Sequence, residues 1–180
     1  MHKMGKVKNK ARATGAGSLT ALALGVAVAM LLSYIESLLP SLSVPGVKLG
    51  LANVAVMVIL YLLGTKEAII VSGVRVFLVS LLFGNPVSLI YGLSGAALSL
   101  SVMILLKKLA PFSPIGVSVV GGVTHNLGQI LAACFIMGTA KLALYLPVLL
   151  LSGVLSGIFV GVCSGLIIKR LKVKDNKTKI

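Results

Sequence analysis

Acid is the scarcest chemistry in this chain: Glu36, Glu67 and Asp175 are the only carboxylate side chains among 180 residues. Charged residues of either sign make up 11%, against about 25% in a soluble domain. With 58% hydrophobic residues and a mean hydropathy of +1.11, a water-soluble globular domain is excluded. Cysteine is also sparse. Cys134 and Cys163 lie in separate apolar runs without CxxC spacing, so no thiol metal site or redox pair is indicated. Of the two histidines, His2 is in the basic tail and His125 in an apolar run, so no metal cluster can be assembled from them. A phosphate-binding G-x-x-x-x-G-K-[ST] loop is missing, which leaves the chain without nucleotide hydrolysis of its own.

What the chain does have is long apolar runs. A helix needs about 20 apolar residues to cross a bilayer, and six stretches qualify: 18–39, 47–63, 67–83, 88–106, 115–137 and 144–168. They are separated by turn chemistry at "PSLSVPG", "GTK", "GNP", "KKLAPFSP" and "GTAK". The runs are too long and too continuous for alternating barrel strands. The expectation is an all-α integral membrane protein with six transmembrane helices. The first run is longer than a signal-peptide core and has no clear small-residue cleavage site, so it reads as a retained helix. Residues 1–17 and 169–180 form basic tails on either side of one membrane domain, 18–168.

The net charge of +14 invites a nucleic-acid reading. Its distribution argues against one. Five basic residues precede the first run and six follow the last; Lys66, Lys107 and Lys108 fall in turns on the same side. The opposite side holds only Lys48 and Lys141. This asymmetry orients the chain with both termini cytoplasmic, and it favours contact with anionic membrane lipid.

One cation remains inside. Arg75, in "VSGVRVFLVS", falls midway along the third run. An arginine there costs about 2.5–3.5 kcal/mol on insertion scales, so it normally faces a partner or a wet cavity. Glu36 is the one acid within reach from the outer half. A structural Glu36–Arg75 pair is one account. A solute cavity is the other, because Lys48, Asn53, Asn85, His125, Asn126 and Gln129 also fall at mid-depth or in the outer half. In that cavity Arg75, with Lys48, would grip an anionic group. His125 is by itself as ordinary as any hydrogen-bonded packing histidine. It shares a helix face with Gln129, as Asn126 does at three-residue spacing. "SVPGVKLGLAN" would either cap a ligand or simply turn the chain.

Small residues form a second pattern. Gly153, Gly157, Gly161 and Gly165 recur every fourth position in the last run, which predicts close packing within the molecule. In the first run Ala21, Gly25 and Ala29 form one stripe and Ala23 and Ala27 another, for which a protein partner competes with internal packing.

"PGVKLGLAN", "RV" and "FG" with six residues between them, and "HNLGQ" carry a resemblance over about residues 20–135. The chain resembles the Gx transporter family, whose members are often labelled heptaprenyl diphosphate synthase component I. That family in turn resembles the substrate-binding S-components of energy-coupling factor (ECF) vitamin transporters. The resemblance implies a six-helix bundle with an outward pocket, no cofactor, and a helix-one stripe docked on a transmembrane coupling subunit driven by ATPases. Ala21, Gly25 and Ala29, or Ala23 and Ala27, match that stripe. The enzyme label meets a chemical objection. Prenyl elongation holds magnesium on a diphosphate with Asp-rich motifs, and this chain has a single aspartate, Asp175. Three functions stay open: a solute-binding subunit for energy-coupled uptake, a non-catalytic membrane accessory of polyprenyl or quinone synthesis, and a structural subunit of a redox complex.

Overall fold

The computed structural model describes residues 15–38, 50–109 and 112–177. Among them all regular structure is helical, with no strand. The helices are α1 (Gly15–Leu38), α2 (Leu51–Leu62), α3 (Thr65–Phe83), α4 (Pro86–Leu109), α5 (Pro114–Met137) and α6 (Leu146–Lys177); a 3₁₀ turn, Ala140–Tyr145, leads into α6.

The helix ends follow the turn residues. Gly50, in the left-handed region at φ 70°, precedes α2; Gly64, at φ 138°, separates α2 from α3; Gly138, at φ 61°, closes α5 with its N–H on Cys134 O. An L-side chain is costly at such positive φ angles, which is why glycine stands at these stops. Ser113 caps α5, accepting from Gly116 N at 3.2 Å, and Pro114 fills the first helical position, where no N–H is needed.

α1, α4, α5 and the segment Ala140–Lys172, which takes in most of α6, are long and apolar enough to cross a membrane. Their outward surfaces are apolar: Phe135 is 89% exposed and Leu151 64%. Apolar exposure on this scale is rare on a water-soluble monomer, and with four membrane-length apolar helices the chain is a membrane-integral protein. The two remaining runs behave differently. α3 carries Lys66, Glu67 and Arg75 within its nineteen residues. α2 has twelve residues, about 18 Å, which is short of a hydrocarbon core of about 30 Å.

α2 is instead the buried helix. Seven of its twelve residues are buried, with Met57 and Leu60 among the most enclosed side chains of the molecule. α1, α3 and α6 surround it, and α4 and α5 complete the bundle through the α4–α5 and α5–α6 seams. The seam between α5 and α6 is the tightest. A Cβ added at Gly157 would lie 2.5 Å from Val119 Cα, and one at Gly161 2.6 Å from Ile115 Cα. The glycine stripe of α6 therefore serves packing within the chain. At the far end of α2, the Lys107 ammonium donates to Leu60 O and sits 5.0 Å from the Tyr61 ring centroid. A cation suits the negative end of the helix dipole there.

Candidate functional site

The shortness of α2 places its first turn deep in the bundle. Asn53 lies about 14 Å from the C-terminal end of α2, and Arg75 about 15 Å from the start of α3, both measured from the Gly64 turn along the helix axes. At this shared level Arg75 Nη1 donates to Asn53 Oδ1 at a long 3.5 Å. Arg75 Nε is buried and has no hydrogen-bond partner. A buried donor without a partner costs about 1–3 kcal/mol, more when charged, so each instance calls for a cause.

Glu36 does not supply the missing partner. Its Oε1 accepts from Gly50 N at 2.6 Å, so the carboxylate sits at the positive N-terminal end of α2 and fixes the entry of that helix from α1. Its charge acts on the Arg75 guanidinium through space. No ion pair within 4.0 Å joins the two among the described residues. The sequence left both arrangements open, because a carboxylate's preference for a backbone N–H over a distant guanidinium depends on where Gly50 falls. Lys48 lies outside the described residues.

The polar residues of α5 divide between two seams. A Cβ on Gly95 of α4 would come 3.0 Å from His125 Cε1 and 2.9 Å from Gln129 Cγ, so these two side chains share the α4-facing side. Asn126 turns the other way. Its Nδ2 donates to Leu149 O at 2.6 Å and Ser152 Oγ at 3.2 Å, tying α5 to α6. The hundred-degree step between successive helical residues is what separates 125 from 126.

Asn85 stands at the mouth of α4 as its cap. Its Oδ1 accepts from Ser88 N at 2.7 Å, and Ser88 Oγ accepts from Asn85 N at 3.0 Å. This reciprocal pair, with Pro86 between, is a capping signal that the sequence carries in "NPVS". Asn85→Ala is expected to cost about 1 kcal/mol of stability through loss of the cap, measured as a fall in the unfolding temperature of the detergent-solubilised protein. Loss of a retained solute beyond that fall would give Asn85 a second role.

Two spaces open in the bundle. One, of about 20 Å³, lies beside Asn53 between α2, α4, α5 and α6, and is lined by Ser99, Ser118, Ser156, Met57 and Met103 among others. That is room for a single water. Ser99 Oγ is already committed to Gly121 O at 2.7 Å. The other, about 330 Å³, is an open apolar groove on the outer flank of α4 and α5, lined by Ile90, Ser94, Leu98, Leu131 and Phe135 among others. None of the residues singled out from the sequence lines it. Besides Arg75 Nε, the buried donors without partners among the described residues are the hydroxyls of Tyr61 and Tyr91. Sequence reasoning missed both tyrosines and the serines around Asn53. Single hydroxyls inside apolar runs carry no periodic signal, and only the packing shows which ones face inward.

The α1 stripes also part company. Ala29 is fully buried, and Gly25 backs onto Ile59 and Val71, so the Ala21–Gly25–Ala29 stripe lies along α2 and α3. Ala23 and Ala27 face outward beside Leu24 and Leu31, which are exposed by 64% and 61%.

A helical bundle with four segments long and apolar enough to cross a bilayer defines the class as a membrane-integral protein. The comparison with protein families is more particular. The model described as heptaprenyl diphosphate synthase component I matches residues 26–167, and the chain belongs to that family. Comparisons with curated proteins and with solved structures returned no match.

Proposed function

We propose that the chain is a solute-binding membrane subunit, built like an S-component, that captures a small anionic or amphipathic solute from the outer side for uptake driven by a partner. The observation that carries this reading is Arg75: a guanidinium midway along α3 with, among the described residues, one long hydrogen bond, an orphaned Nε and no direct counter-ion. In this reading six segments sit in the membrane with both termini cytoplasmic, α2 as a buried half-length segment, in the cytoplasmic membrane of a bacterium. Fourteen basic residues on one side against two on the other support that orientation. Arg75 supplies the charge, Asn53 holds its fork, and Glu36, Asn85, His125, Asn126, Gln129 and Lys48 complete or support the surroundings. The space beside Asn53 takes only a water, so a solute enters when the helices around it yield. Energy has to come from a coupling subunit with ATPases, for which Ala23 and Ala27 on the outward face of α1 are the available small-residue stripe.

A second reading has the family description in its favour. A "component I" is named as one part of a multi-component prenyl diphosphate synthase. The chain would then be a non-catalytic membrane accessory that presents a lipidic intermediate to a soluble synthase. Copurification from the native host separates the two: ATPases with a membrane coupling subunit, or a soluble prenyl synthase.

The direct test is native mass spectrometry of the detergent-purified protein from its own host, with Arg75→Ala beside it. A small molecule retained by the wild type and lost from a stably folded Arg75→Ala supports capture at this site. The same species retained by Arg75→Ala would end the assignment.

A further inference from the structure

Resting on the reading of Arg75 as a solute anchor, we infer that Tyr91 is a second binding residue of that site, and that the two donors together recognise an oxyanion, a carboxylate or a phosphate. Two independent observations lead to the pair. Arg75 Nε and Tyr91 Oη are both buried and both without a hydrogen-bond partner. They also face the same side of one helical seam.

The second point follows from register. α3 and α4 are joined by the two-residue connection Gly84–Asn85, which makes them antiparallel neighbours. They meet where Val76 backs onto Gly92; a Cβ on Gly92 would lie 2.9 Å from Val76 Cγ1. Arg75 and Tyr91 each precede one of these contact residues by a single position. One step back rotates a side chain by about 100°, and in an antiparallel pair the two rotations carry both side chains to the same flank. Their Cα atoms differ in height by about 3 Å, one residue's rise on each helix. Gly95, one turn beyond Tyr91, lies against His125 and Gln129, so this flank is the one that faces α5 and the bundle interior.

Two buried donors on one flank, their Cα atoms within about 3 Å in height and neither satisfied among the described residues, fit an acceptor that arrives from outside the chain. A neutral hydroxyl acceptor would leave the guanidinium charge uncompensated. An oxyanion satisfies both, with charge-assisted bonds from the guanidinium and a shorter O–H···O⁻ bond from the phenol. Tyr91→Phe removes the hydroxyl alone and keeps the ring that packs the seam.

The test uses the full-length protein in phosphatidylcholine nanodiscs and reads its unfolding temperature while inorganic phosphate, or acetate, is titrated against chloride at constant ionic strength. A second set of nanodiscs containing phosphatidylglycerol distinguishes a lipid headgroup from a free anion as the source. Wild type should be stabilised by one of these oxyanions. Tyr91→Phe should keep the anion-free unfolding temperature yet need about tenfold more anion, the expected loss of one hydrogen bond to a charged group. Arg75→Lys should respond weakly or not at all. If Tyr91→Phe responds as wild type does while Arg75→Lys does not, Tyr91 is no binding residue but the anchor stands. A wild type indifferent to phosphate, acetate and phosphatidylglycerol overturns the anion site altogether. An anion-free unfolding temperature that drops in Tyr91→Phe shows a bonded hydroxyl and also overturns the inference.

Discussion

Gly157→Ala is expected to destabilise the protein by about 2–3 kcal/mol, while the same substitution eight residues on, Gly165→Ala, is neutral or stabilising. The added methyl at Gly157 would sit 2.5 Å from Val119 Cα and 2.8 Å from Ser118 O, both backbone atoms that no rotamer change can move. The helices must separate to admit it, and overpacking of that kind costs about 1–3 kcal/mol. In a membrane the loss is felt directly, because lipid is as apolar as leucine and helix association depends on close van der Waals packing. At Gly165 the nearest atom is Pro114 Cβ at 4.0 Å, an ordinary contact. There the methyl adds packing and removes about 0.5–1 kcal/mol of glycine's backbone entropy cost within the helix. Unfolding temperatures of the two variants in the same detergent check the result. A clear fall for Gly157→Ala beside no change or a small rise for Gly165→Ala would fit; a Gly157→Ala protein as stable as wild type would mean that α5 and α6 do not approach this closely.

The same pair of glycines marks how far the sequence could be read. The four-residue repeat was visible and its packing role followed from it, but the repeat gives no hint that the seam closes on Val119 and opens by Pro114. The helices and their breaks were legible because long apolar runs and glycine turns act locally. The length of α2 was not, since hydropathy does not mark where Gly50 leads the chain into that helix. Its twelve-residue length sets the level at which Asn53 meets Arg75. In the candidate site, Arg75 stood out by the sheer cost of its charge. Asn85 and Asn126 were grouped with it by polarity alone, although one caps α4 and the other bonds across to α6. Polarity and depth identify residues that need a partner; direction around the helix decides which partner they find.

Arg75→Met is expected to leave the unfolding temperature unchanged or higher while abolishing solute retention. A buried arginine usually resists removal because its partner is left charged and alone, at about 3–5 kcal/mol. The one hydrogen bond to the side chain among the described residues is 3.5 Å long, to a neutral amide that also borders a water-sized space, and Glu36 is held by Gly50 N instead. Removing the guanidinium therefore strands no ion, while it relieves a mid-membrane insertion cost of about 2.5–3.5 kcal/mol and an unsatisfied Nε. Methionine fills similar volume with an adaptable apolar chain. In the proposed reading such a residue gives up stability for solute binding. Thermal unfolding in detergent, run beside native mass spectrometry on the same preparation, reads both halves. A fall worth about 3 kcal/mol or more would make Arg75 a structural residue with a partner in the folded protein, and would leave the solute reading without its main support.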